Sequence, residues 1–194
     1  MEISSHKQTF TIKDAAKIMK KSDKYASKLL SSNKYLKRIE RGLYYINNGN
    51  PIDFYEIASN IVYPSYISLF SAFEYYSITN QIIKKYSVIS IKRHRNIEFG
   101  GNVIEFNFIK RDKFFGYKRI GNVYIASPEK AFVDSIYYKR PEFSYVEESF
   151  NMAMRSKLIN VKRLIEYSGR MDSKALKNKI MLMVKNYRDG RNDR

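Results

Sequence analysis

The stretch Thr11-Ile12-Lys13-Asp14-Ala15-Ala16-Lys17-Ile18-Met19-Lys20-Lys21-Ser22-Asp23-Lys24-Tyr25-Ala26-Ser27-Lys28-Leu29-Leu30-Ser31-Ser32 contains two helix starts in succession. Thr11 followed by Asp14 reads as an N-cap with an acidic N3 residue, a pattern in which each side chain satisfies a backbone donor left free by the first turn. Ala15, Ala16, Ile18 and Met19 then make one apolar side of a short helix, which Lys20-Lys21 ends. Ser22 caps a second helix running to about Ser32, on which Ala26, Leu29 and Leu30 share a face at helical spacing. Lys24, Ser27, Lys28 and Ser31 fall on the opposite face. Beyond them, Leu36-Lys37-Arg38-Ile39, a turn at Glu40-Arg41-Gly42 and a return through Leu43-Tyr44-Tyr45-Ile46 predict a tight hairpin, with Gly42 supplying the positive φ of the turn.

Two short helices followed by a basic hairpin predict a minimal winged helix-turn-helix over residues 1–48. A recognition helix needs small or basic outward side chains, because its N-terminal part must enter a groove about 12 Å wide. Lys24, Ser27, Lys28 and Ser31 meet that need. Lys37, Arg38 and Arg41 on the hairpin would reach phosphates or the adjacent minor groove. The alternative is a small module with a merely solvated basic face, or one that contacts proteins. Met1 to Phe10 is too short and polar for the helix that ordinarily precedes such a pair. Either the domain is minimal, or a helix at Asp53–Ile61 takes that place.

Working outward, Asn47-Asn48-Gly49-Asn50-Pro51 reads as a linker of turn formers, placing a second domain at residues 51–194. There, Asp53–Ile61 and Ser68–Ser77 read as helices, Val88–Lys92 as a strand, and Ile97–Phe99 with Val103–Ile109 as a hairpin around Gly100-Gly101-Asn102. Val123–Ile125 is a further strand. Ser127 caps a helix at Pro128–Tyr138, with proline at its first position. Tyr145–Ser156, Val161–Ser168 and Ser173–Tyr187 read as helices, and Lys185–Arg194 as a frayed basic tail. The expected fold class is α+β, the second domain combining helices with a small, mostly antiparallel sheet.

The chain has 194 residues, with 36 Lys plus Arg against 19 Asp plus Glu and a formal net charge of +17. Residues 1–50 hold 11 basic and 4 acidic side chains, residues 51–150 hold 13 and 11, and residues 151–194 hold 12 and 4. The excess sits at the two ends, where phosphate binding would release counterions. A compositional surplus of lysine is the competing explanation. The 44% apolar content excludes wholesale disorder. No apolar run reaches the roughly 18 residues of a membrane span, and Met1–Phe10 does not read as a secretory signal. Zero cysteines exclude disulfides, cysteine-ligated metals and a thiol nucleophile. A soluble cytoplasmic protein is expected, with no membrane partner.

Four ordered stretches carry a resemblance to a known family: Phe10-Thr11-Ile12-Lys13-Asp14-Ala15-Ala16, Arg38-Ile39-Glu40-Arg41-Gly42-Leu43-Tyr44, Tyr66-Ile67-Ser68-Leu69-Phe70-Ser71-Ala72-Phe73 (placed on a helix), and Ser127-Pro128-Glu129-Lys130-Ala131-Phe132-Val133-Asp134. Together they resemble the AbiEi family of antitoxin-type transcriptional regulators, over about residues 10 to 185. The resemblance implies an N-terminal winged helix that represses its own operon at inverted repeats in double-stranded DNA. It also implies a C-terminal domain that counteracts a nucleotidyltransferase-like toxin.

Enzymatic chemistry does not emerge. His6 and His94 lie apart, and the cationic neighbours in Lys92-Arg93-His94-Arg95 discourage a metal. Ser71, His94 and Asp134 could be drawn as a triad, but no nucleophile elbow surrounds Ser71. Glu129 and Asp134 are about 140° apart on one helix and make a poor metal pair; Glu129 suits the first helical turn as an anion. Lys110-Arg111-Asp112-Lys113 reads as a polar hairpin connection, and Gly100-Gly101-Asn102 as a turn and no phosphate loop. No cofactor or metal is expected. Tyr44-Tyr45, Phe73-Tyr75-Tyr76, Phe114-Phe115-Tyr117 and Tyr137-Tyr138 could stack single-stranded bases, but in a chain without tryptophan they are needed as core. A partner-binding module and an RNA-binding protein stand as the alternatives to a DNA-binding regulator.

Overall fold

A computed structural model of the protein describes residues 9–47, 49 and 51–192. The first elements are β1 (Thr9–Thr11), α1 (Ile12–Met19), α2 (Asp23–Ser31), β2 (Leu36–Glu40) and β3 (Leu43–Ile46). Thr11 and Asp14 form the expected capping box: the Thr11 hydroxyl accepts from the Asp14 amide at 3.1 Å, and the Asp14 carboxylate accepts from the Thr11 amide at 2.8 Å. Lys20 ends α1 in the left-handed conformation, and Ser22 caps α2 by accepting from the Tyr25 amide at 3.3 Å. The three strands pair antiparallel in the order β1-β3-β2. The segment just before α1 is thus a strand, and α3 (Phe54–Ile61) packs against it. Met1 to Gln8, including His6, lie outside the described residues.

This small sheet has two covered faces. Tyr44, opposite Arg38 in the register, faces α1 and α2 and packs with Ala15, Ala16, Ala26 and Leu30. Leu43, Tyr45 and Ile39 point the other way and join the main core of the molecule. Asn48 and Asn50 of the expected linker lie outside the described residues, but the apolar core is continuous across it. The apolar stripe of α2 is narrower than its sequence suggests. Ala26 and Leu30 are buried, whereas Leu29 is 48% exposed. Likewise Ile18 on α1 is exposed. The buried residues that α1 contributes are two alanines, with Ile12 and Met19 packed at the margin of the cluster.

The rest of the chain contains β4 (Ser65–Ile67), α4 (Leu69–Tyr75), β5 (Lys85–Ser90), β6 (Ile97–Phe99), β7 (Asn102–Phe108), β8 (Tyr117–Ile120), β9 (Val123–Ala126), α5 (Pro128–Tyr138), α6 (Phe143–Arg155), α7 (Val161–Arg170) and α8 (Lys174–Asn192). The chain is therefore α+β. Its larger sheet corrects the expectation of a small one, while three of its five pairings, β6–β7, β4–β5 and β8–β9, are antiparallel. It has six strands in the order β6-β7-β5-β4-β9-β8, with β5–β7 and β4–β9 parallel. Two of these strands escape sequence reading. The three-residue β4 is wholly buried and runs straight into α4, so the Tyr66–Phe73 motif is a strand followed by a helix and not one helix. The polar edge strand β8 follows a short 3-10 turn at Arg111–Lys113, so the Lys110–Lys113 stretch joins β7 to β8, which do not pair.

Helix α5 is the central element, buried from Glu129 to Ile136 and packed by α4, α6, α7 and α8. Its Phe132 ring lies 4.4 Å from that of Phe73 and 5.5 Å from that of Phe150. Burying one such side chain contributes about 1.5–3 kcal/mol. The clustered aromatics are core, as their number requires: Tyr44, Tyr45, Phe73 and Phe115 are buried, and Tyr75, Tyr76, Phe114, Tyr117, Tyr137 and Tyr138 pack against the core. Helix α8 continues to Asn192 where a frayed tail was expected, since Met183, Val184 and Tyr187 pack inward, Tyr187 against Phe150. Among the described residues, no helix is long and apolar enough to cross a membrane.

Candidate nucleic-acid interface

An open groove runs between α2 and the β2–β3 hairpin. It brings together five of the seven residues singled out from sequence: Lys24, Ser27 and Ser31 on the helix wall, Arg38 and Arg41 on the hairpin wall. Thr11, Lys13 and Asp23 also line it, having gone unnoticed because they belong to the capping segments. Lys28 is exposed but lies outside the groove, on the outer flank of α2. Lys37 also lies outside: it pairs with Tyr45, on the opposite face of the hairpin from Arg38.

Local geometry sets the groove's chemistry. The Arg38 Nε donates to the Glu40 carbonyl at 3.2 Å, which holds its side chain along the tip. Gly42 takes φ +87°, as the turn requires, and its carbonyl accepts from the Ile12 amide at 2.9 Å. The hairpin tip is thereby fastened to the start of α1. The Ser31 hydroxyl donates to the Ser27 carbonyl at 2.7 Å, so its hydrogen is spent on its own helix and only its oxygen lone pairs face outward. Lys24, Arg38 and Arg41 are exposed, and their charges reach solvent.

The drawn triad does not assemble. The Ser71 hydroxyl donates to the Lys85 carbonyl and accepts from the Ser87 amide. The imidazole of His94 lies 3.4 Å from the Glu40 carboxylate, beside the hairpin tip. Asp134 belongs to a different cluster, fully buried, which sequence reading missed. The Lys130 ammonium contacts the Asp134 carboxylate at 2.5 Å, one helical turn on, and donates to the Lys113 carbonyl at 3.2 Å and the Met171 sulfur at 3.5 Å. Ser68 and Tyr66 donate to the other carboxylate oxygen at 2.8 and 3.2 Å. The signal was the Lys130–Asp134 spacing on a helix otherwise apolar enough to be buried on all sides.

Burial pushes the Asp134 carboxyl up, while Lys130, Ser68 and Tyr66 pull it back. Burial, with Asp134 beside it, also raises the Tyr66 hydroxyl well above the usual phenol range. All three ammonium donors of Lys130 are engaged, so this cluster ties β4, α4 and the 3-10 turn to α5. Glu129 is likewise buried, accepting from the Asn160 amide at 3.0 Å with Arg163 at 3.8 Å. No group of three or more histidine, aspartate or glutamate side chains among the described residues is placed to hold a metal. In comparison with known proteins, the chain matches no family model and no curated protein.

Proposed function

We propose that the chain is a cytoplasmic DNA-binding transcriptional regulator of the AbiEi antitoxin type, in which residues 9–47 form a minimal winged helix-turn-helix. The carrying observation is the groove between α2 and the hairpin, with Lys24 and Ser27 on one wall and Arg38 and Arg41 on the other. In this reading α2 is the recognition helix, entering the major groove by its N-terminal half, and the hairpin is the wing. The strand β1 ties the wing to α1, and α3 packs against it. Lys28, on the outer flank of α2, and Lys37, on the hairpin's other face, serve phosphates beyond the groove.

No catalytic role is proposed for any residue. The toxin-directed role of the C-terminal part, the inverted-repeat operator and the nucleotidyltransferase-like toxin rest on the family resemblance.

Selection of bound sequences from a random duplex library at moderate salt tests the reading. The expected result is an enriched motif, with Lys24→Ala costing about 1–3 kcal/mol on that motif if the side chain meets a base edge. Unenriched pools, together with unchanged affinity of Lys24→Ala, would remove α2 from any DNA interface.

A further inference from the structure

The segment between β5 and β6 reads Lys92-Arg93-His94-Arg95-Asn96, three permanent cations and a histidine without an acidic residue among them. It lies in the part of the sequence that is otherwise nearly neutral, 13 basic against 11 acidic side chains over residues 51–150. A general surplus of lysine does not account for such a concentration, nor for its location. His94 places it: Nε2 lies 3.4 Å from the Glu40 carboxylate at the end of β2, the ring packs on Phe106 with centroids 4.7 Å apart, and Nδ1 donates to the Arg95 carbonyl at 2.8 Å. Strand β6, which follows the loop, packs against β2. The loop is thus held beside the hairpin tip, on the side away from α1 and α2.

We propose that the Arg93–Arg95 segment is a second phosphate-binding element for the same duplex, continuing the basic track from α2 and the hairpin tip onto the main body. The inference rests on the DNA-binding reading above and adds a site that the helix and wing do not contain. Three features support it. First, the His94 imidazole lies against the Glu40 carboxylate at the tip, whose side chain is largely buried, so this acid presents little negative charge to a phosphate. Second, Arg93 and Arg95 are exposed and make no ion pair among the described residues. The Arg93 guanidinium lies 4.6 Å from the centroid of the Phe108 ring, which fixes its plane and leaves its fork available for bidentate contact with phosphate oxygens. Third, a duplex presents a negative charge about every 1.7 Å along its axis, so a protein seated on one groove meets further phosphates wherever its surface continues alongside. Lys92 contributes less, since its ammonium donates to the Tyr63 carbonyl at 2.6 Å.

The test uses the full chain and a mixed-sequence duplex of about 30 base pairs, because phosphate contacts carry no sequence preference. Affinity is measured by fluorescence anisotropy across a salt series for the wild type, Arg93→Ala/Arg95→Ala, Arg95→Ala alone, Arg93→Lys/Arg95→Lys and Arg38→Ala/Arg41→Ala. The loop double variant is expected to lose up to about 1.8 from the slope of log affinity against log salt, about 0.9 for each phosphate contact. Arg95→Ala, which removes no aromatic contact, is expected to lose about half of that. The lysine pair, which keeps the charge, should retain the wild-type slope. If the hairpin variant lowers the slope while both loop alanine variants leave it unchanged, the duplex reading survives and the loop element is refuted. If the wild type shows no salt-dependent duplex binding, the underlying reading fails, and this inference with it.

Discussion

Lys130→Met should destabilise the protein more than any charge removal at the groove, and the structure sets the size of the effect. Both partners of the Lys130–Asp134 pair are completely buried. Removing one member of such a pair leaves an uncompensated charge and costs about 3–5 kcal/mol. The Lys113 carbonyl also loses its donor, about 1 kcal/mol more if water cannot replace it. Methionine fills most of the stem's volume, so little of the loss comes from a cavity. The pH dependence carries a definite sign. Burial already raises the Asp134 carboxyl above its ordinary value, and the ammonium is the largest opposing influence. In the variant the folded-state value must rise further, so the folded protein holds a proton that the unfolded chain has released above pH of about 3.9. Stability then falls as pH rises from the unfolded value through the raised folded one. Urea unfolding of Lys130→Met should show a larger loss at pH 8 than at pH 5. Lys130→Met/Asp134→Leu should recover most of it, leaving about 1–3 kcal/mol for the unpaired Ser68 and Tyr66 hydroxyls. A loss below about 1 kcal/mol at pH 8, equal at both pH values, would refute the account, since it would mean that water reaches the pair and screens it.

Two further outcomes follow from the hairpin. Gly42→Val should cost about 1–3 kcal/mol of backbone strain, because φ is +87° while no atom lies within 4 Å of an added Cβ; duplex affinity should fall by more than the melting temperature explains, and an unchanged isotherm would separate the turn from binding. A fragment of residues 51–194 should melt well below the full chain and bind a hydrophobic dye, because it lacks Ile39, Leu43 and Tyr45 from the main core; a melting temperature equal to that of the full chain would show that those side chains add nothing.

What was legible in the sequence was local. The Thr11–Asp14 box, the Ser22 and Ser127 caps, the Gly42 turn and the Gly100-Gly101-Asn102 hairpin all rest on short-range chemistry, and each lies where its residues predict. What was not legible depends on neighbours distant in sequence. Strand β4 is too short to show a period, and only its pairing with β5 and β9 makes it a strand. Leu29 matches the stripe that buries Leu30, yet it lies exposed. The burial of Lys130 follows from the packing of α4, α6, α7 and α8 around α5, and the sequence holds only an indirect sign of it in the Lys130–Asp134 spacing on an apolar helix. In the candidate interface, helical and strand periodicity grouped the residues correctly by element. Which of them share the groove depended on how the hairpin is set against α2, and that removed Lys28 and Lys37 from its lining.

The setting of the hairpin follows from one strand. In β3, Tyr44 is buried against the helix pair while its neighbours Leu43 and Tyr45 are buried in the main core, so alternation alone makes the strand a partition between two apolar clusters. A hairpin free on one side would have to be ordered when it met a ligand, at about 0.5–1.5 kcal/mol for each side chain immobilised. This one is clamped on both faces, tied by Gly42 to α1 and by Glu40 to His94 on the main body. Its arginines therefore project from a rigid base. The same clamp makes the two parts of the chain mechanically dependent: a substitution that shifts Leu43 or Tyr45 in the main core must move Tyr44 against α2, and with it the width of the groove between Lys24 and Arg38.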